Sequence, residues 1–210
     1  MNGLLEVLAK LRKEFDGKFI ITTIVKNETI DRPLQIKKYE LAALKIKKLL
    51  EEKILEMPEA IGIQHQEIEK DTIELMSSIN HVFLSEEKWM EIVHKGEASC
   101  IALSKLASKR GIQNAIAIDE RTTRMLCEKP RNLHQLYESK TREKITFNEK
   151  NAEVCQNIKF IRSAELFYIA YKKGLIEIKD PQLLDALLYG AKFKGCAIAE
   201  EEILDLKRMK

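Results

Sequence analysis

Glu97, Asp119 and Glu120 are the residues whose types and placing point most directly to chemistry. Glu97 lies in Lys95-Gly96-Glu97-Ala98-Ser99-Cys100-Ile101-Ala102-Leu103, the start of an amphipathic helical pattern, and Asp119 and Glu120 close the apolar run Ile116-Ala117-Ile118. Ligands of parallel α/β sheets gather at the carboxyl ends of strands, so these acids are expected on one rim. Carboxylates converging there suit a hard divalent cation, which takes oxygen ligands. Each acid also has an ordinary structural role. Glu97 can sit against the unpaired amides of a helix's first turn, where the dipole favours negative charge. Asp119 can cap a helix over 121–128 and still offer its second oxygen to a cation. Arg121 and Arg124 follow directly. Guanidinium forks match phosphate oxygens, although a solvated helix face is the usual place for such residues.

The elements that must hold these acids alternate in type. Leu4, Leu8, Leu11 and Phe15 predict an amphipathic helix over 3–15. Lys18 to Val25, β-branched and apolar after Gly17, predicts a strand. A helix over 35–53 is expected to bury Ile36, Tyr39, Ala43, Ile46 and Leu50, with Pro33 near its start. Residues 54–57 read as a short strand before Pro58, and 64–83 as a helix. Ser85-Glu86-Glu87-Lys88 resembles a helix start, with Trp89, Ile92 and Val93 buried and Gly96 as a break. Then come a helix over 97–109, a strand over 114–118, helices over 121–128 and 131–140, and a polar connection or short helix over 145–157. The last strand, 158–162, leads to a helix over 164–173. The C-terminal helices 181–192 and 199–208 form an extension, residues 180–210, of a single domain spanning 1–210. Strand–helix alternation predicts a parallel sheet covered on both faces.

A chain of 210 residues with 45% hydrophobic residues can bury a core without disulfides or metal. The charged residues, 33% of the chain, nearly cancel to +3, so nucleic-acid binding would rest on local patches rather than a global field. The lysine pairs 37–38, 47–48 and 172–173 read as solvated helix faces. Cys100, Cys127, Cys155 and Cys196 form no Cys-x-x-Cys pair, and the four histidines are dispersed, which removes zinc-ligand spacing. With no signal peptide and no long apolar run, a cytoplasmic protein with reduced thiols and no membrane partner is expected.

Lys95-Gly96-Glu97-Ala98, Ile118-Asp119-Glu120-Arg121-Thr122-Thr123-Arg124-Met125-Leu126 and the earlier Ile24-Val25-Lys26-Asn27-Glu28-Thr29-Ile30-Asp31-Arg32-Pro33 together resemble the PIN-domain proteins of archaea, in particular the subgroup described as predicted nucleic-acid-binding proteins. The likeness spans essentially the whole chain in motif order, and Phe160-Ile161-Arg162-Ser163-Ala164-Glu165-Leu166 matches the family's last strand and turn. The resemblance implies an α/β, three-layer fold with a central parallel sheet flanked by helices. It also implies a metal-dependent endoribonuclease with Mg²⁺ or Mn²⁺ on Glu28, Glu97 and Asp119, which are the implied catalytic residues, and on Glu120. Arg121, Arg124 and Ser163 become contacts to RNA. Glu28 has its own structural alternative, a helix acid paired with Arg32, and Ser163 could equally cap the helix after it. Glu165 is a weaker candidate ligand.

The family's opening strand, which ends in its first metal-binding Asp, has no counterpart in 1–210. Met1-Asn2-Gly3 leads straight into the Leu-rich helix that follows that strand. The expectation is that the strand and its Asp are encoded upstream of Met1, with a degenerate family member as the alternative. Within 1–210 the sheet should then show a gap between the strand near 18–25 and the one near 114–118. Two further readings stay open: a nucleic-acid-binding or scaffold protein with an impaired site, and a toxin of a toxin–antitoxin pair, disfavoured by the chain's length. Homo-oligomerisation is compatible with each.

Overall fold

The computed structural model describes residues 2–209, with side chains from residue 5. The elements run α1 (Asn2–Glu14), β1 (Phe19–Ile20), α2 (Thr23–Lys26), α3 (Lys37–Glu51), β2 (Leu55–Glu56), α4 (His65–Ile79), β3 (Phe83–Ser85), β4 (Lys88–Trp89) and α5 (Lys95–Lys109). They continue with β5 (Ile116–Ala117), α6 (Arg121–Glu128), α7 (Pro130–Thr141), β6 (Thr146–Phe147), α8 (Glu149–Ala152), β7 (Phe160–Ile161), α9 (Ser163–Lys172), α10 (Leu183–Phe193) and α11 (Glu200–Arg208). A π-helical turn, Asn27–Asp31, extends α2.

The chain is α/β, with short strands in three small sheets. β1 and β2 pair in parallel with Phe19 opposite Leu55, and β5 and β7 pair in parallel with Ile116 opposite Phe160. β3 pairs antiparallel with both β4 and β6. No ladder joins β1 to β5.

The two parallel pairs nevertheless share their apolar surroundings. Ile20 of β1 and Ile116 and Phe160 of the other pair pack into the cluster that holds Ile68, Leu75 and Ile79 of α4 and Ala98, Ile101 and Ala102 of α5. Phe19 and Ile161, one residue along, pack instead with Val7 and Leu11 of α1 and Leu166 and Ala170 of α9. This is the period-two alternation of strands covered on both faces. The C-terminal helices have their own cluster, Leu188, Ala191, Cys196, Ile198 and Ile203, which joins α9 through Ala164 and Phe167.

Several sequence expectations need correction. The run 18–25 is extended only at Phe19–Ile20, because the Thr22 hydroxyl accepts the Val25 amide at 3.1 Å and turns the chain into α2. A capping hydroxyl here overrides β-branched propensity. Ser85 to Lys88 start no helix. Glu86 and Glu87 adopt φ of 45° and 67°, forming a two-residue connection that pairs Ser85 with Lys88. Hairpin turns with both central φ values positive match the twist of their strands, but they usually carry Asn-Gly rather than Glu-Glu. Trp89 is consequently exposed, as are Ile36 and Tyr39. Gly96 is no break, since it lies within the first turn of α5.

Candidate functional site

Glu28 reaches the helical turn that carries Glu97, although 69 positions separate them. The π-helical turn carries Glu28 to the N-terminal end of α5, where its carboxylate rests on Gly96. A Cβ at position 96 would collide with Glu28 Oε2 and lie 3.2 Å from its Cδ, so the close approach requires glycine. Glu97, half-buried, follows in the same helical turn. Burial pushes the Cys100 thiol up to about 11, and the charges of Glu97 and Glu28 add to that rise.

A chain of hydroxyls fixes this junction. Ser99 Oγ donates to the Gly96 carbonyl at 2.7 Å, so in its 2.7 Å contact with Thr22 Oγ1 it is Thr22 that donates. Thr22 Oγ1 in turn accepts the Val25 amide. Both hydroxyls are buried, and their bonds tie the end of β1 to the first turn of α5. Sequence reasoning missed this pair. The only sign of it was two small hydroxyl residues next to otherwise apolar segments.

Asp119 and Glu120 occupy a different environment. Asp119 Oδ1 accepts the Ser163 amide at 2.8 Å, and the Asp119 carbonyl accepts the Ala197 amide at 3.2 Å. Asp119 therefore satisfies the first turn of α9, not of α6. The cap of α6 is Glu120, whose Oε1 and Oε2 accept the amides of Thr122 and Thr123 at 2.6 and 2.7 Å. Burial works against the Glu120 charge, but these amides outweigh it and hold the carboxyl below its usual range. Asp119 also raises the Cys196 thiol, whose shift comes first from burial.

The other candidates are equally distinct. Arg121 is exposed and donates from Nε to Met125 Sδ at 3.2 Å. Ser163 is 8% exposed, with its amide held by Asp119, which leaves little of it for solvent or nucleic acid. Glu165 pairs with Arg162, accepting its amide at 2.6 Å and its guanidinium Nε at 2.7 Å. Lys26 pairs with Asp31, and neither Glu28 nor Glu97 has a hydrogen-bond or ion-pair partner among the described residues. Arg124 stands apart, because its Nε is buried without a hydrogen-bond partner.

The structure thus brings Glu28 to the helical turn that carries Glu97 and directs Asp119 and Glu120 into helix caps. Among the described residues, no three His, Cys, Asp or Glu side chains are grouped to hold a metal ion. Two carboxylates at one helical turn suit a hard cation that keeps most of its waters. No helix among the described residues is long and apolar enough to cross a membrane. Comparison with protein families, curated proteins and solved structures found no match to this chain.

Proposed function

We propose that this chain is a PIN-like, metal-dependent endoribonuclease whose cation site is built on Glu28 and Glu97. The supporting observation is the Glu28 carboxylate resting on Gly96 in the turn that carries Glu97. Like charges at one helical turn repel, and a divalent cation relieves that repulsion while the helix N-terminus favours the remaining negative charge. Mg²⁺ or Mn²⁺, when bound, supplies Lewis acidity toward a phosphate oxygen and a more acidic water. The buried Thr22–Ser99 contact keeps Glu28 in register with α5, and the exposed Arg121 is a contact for the RNA backbone. In this reading the two strand pairs are halves of one layer, between α1 and α9 on one face and α4 and α5 on the other.

A second reading, a nucleic-acid-binding or scaffold protein of the same fold with an impaired site, draws support from the caps that engage Asp119 and Glu120. Mn²⁺-dependent cleavage of mixed single-stranded and structured RNA separates the two. The nuclease reading expects chelator-sensitive cleavage, reduced at least about 100-fold by Glu97→Gln, which keeps shape but removes the ligand's charge. Metal-independent RNA binding without cleavage supports the second reading. Neither binding nor cleavage contradicts both.

A further inference from the structure

We propose that the pocket walled by Arg124, Glu128, Phe160, Arg162, Glu165 and Glu202 receives a guanine base. This deepens, and rests on, the RNA reading above. The first observation is which groups on its wall are already engaged. Arg162 donates to Glu165, to Glu202 at 2.8 Å and to the Ala197 carbonyl at 3.1 Å. Burial opposes the Arg162 charge, but its two carboxylate partners outweigh it and raise its pKa. That network is closed and forms a rigid side of the pocket.

Arg124 and Glu128 are open. They lie one turn apart on α6 and line the same pocket. Side chains at this spacing ordinarily meet, yet no ion pair joins them, and Arg124 Nε is buried without an acceptor. Arg124 Nε and the Glu128 carboxylate therefore line one pocket without a hydrogen-bond partner among the described residues, and the Arg124 charge already helps to hold Glu202 ionised. Leaving the buried Nε–H unpaired is costly, so a ligand bringing an acceptor to Arg124 is favoured.

Charge selects the ligand. Three carboxylates stand against two guanidiniums around the pocket, which disfavours a free phosphate dianion, while the guanidiniums disfavour a bare cation. A neutral ring with acceptors on one edge and donors on the next satisfies both open groups. Guanine has this pattern: O6 and N7 accept from an arginine fork, and N1–H and the N2 amine donate to a carboxylate. Adenine replaces the O6 acceptor with a donor, and uracil and cytosine lack the O6/N7 pair. The volume of about 240 Å³ is below the roughly 300–1,000 Å³ of pockets for larger ligands, in keeping with a single base.

The test compares GMP, AMP, UMP, CMP and inorganic phosphate by calorimetry. It also compares U-rich RNA with and without one central guanine by fluorescence anisotropy, in chelator so that no cleavage occurs. Glu128 is exposed and bonds nothing, so Glu128→Gln keeps the fold, which a melting curve verifies. GMP and the guanine-containing RNA are expected to bind about tenfold more tightly than their counterparts, and Glu128→Gln to remove that preference. GMP selectivity without RNA binding keeps the pocket as a free-nucleotide site and removes the RNA reading. RNA binding with no base preference, unchanged by Glu128→Gln, overturns the pocket and leaves the RNA reading standing. Equal binding of all four nucleotides, or inorganic phosphate displacing GMP, also overturns it.

Discussion

At the end of β5, Asp119 and Glu120 direct their oxygens into backbone amides, whereas at the head of α5 Glu28 rests on Gly96, next to Glu97, and neither acid has a protein donor among the described residues. Adjacent acids at a strand-to-helix junction are drawn to the nearest unpaired amides, which are those of the helices starting there. Acids from distant segments, brought together by packing, keep their oxygens available. The more conspicuous acidic pair in the sequence is therefore engaged by the backbone, and the less conspicuous one is left with its oxygens open among the described residues.

Four substitutions or measurements can break or sharpen this contrast. The largest expected effect on stability is at Asp119. Its replacement by alanine leaves the Ser163 amide without its acceptor at a buried helix start, and should cost about 2 kcal/mol in urea unfolding. A loss near zero would show that Asp119 is not a structural residue. Gly96→Ala should do the reverse. The new Cβ meets the end of the flexible, exposed Glu28 side chain, which can swing away. Alanine also favours the helix by up to about 1 kcal/mol. Thermal stability should hold or rise while Mn²⁺ affinity falls about tenfold. Unchanged affinity would remove Glu28 from the site.

Glu120→Ala should cost about 1 kcal/mol, the ordinary value of a helix N-cap. Its pH dependence carries a sign. The folded-state pKa of Glu120 is lowered, so its contribution is fully present above the unfolded value, about 4.3, and fades as pH falls through the folded value. The stability gap between the natural chain and the variant should therefore be wider at pH 7 than at pH 3, and a constant gap would count against the cap. The smallest effect concerns Cys100, whose thiol is pushed up to about 11, first by burial. It should resist alkylation at pH 8, and Glu97→Gln should quicken the reaction only slightly. Rapid labelling at pH 8 would mean that the first turns of α5 are more open than described.

What could be read from the sequence divides along physical lines. The extents of α1 and α3 were legible from their apolar spacing, although Phe15, Ile36 and Tyr39, read as part of their apolar faces, are exposed, and the short β2 was marked by Pro58. Local contests between bonding partners were not legible. Thr22 looks like strand until its hydroxyl is seen to accept the Val25 amide. Glu86-Glu87 has none of the composition of the turn it makes. At the site, Asp119 was recognised as a capping residue but assigned to α6, while its acceptor role is toward α9, 44 positions on. The meeting of Glu28 with Gly96 depends on a π-helical turn that no periodicity announces.

Titration of Mn²⁺ into the natural chain, Glu97→Gln and Glu120→Gln, followed by calorimetry, tests the contrast most directly. The account predicts saturable binding by the natural chain, weakened about 100-fold or lost in Glu97→Gln and essentially retained in Glu120→Gln. Binding retained in Glu97→Gln but lost in Glu120→Gln would contradict it, and so would no binding by the natural chain.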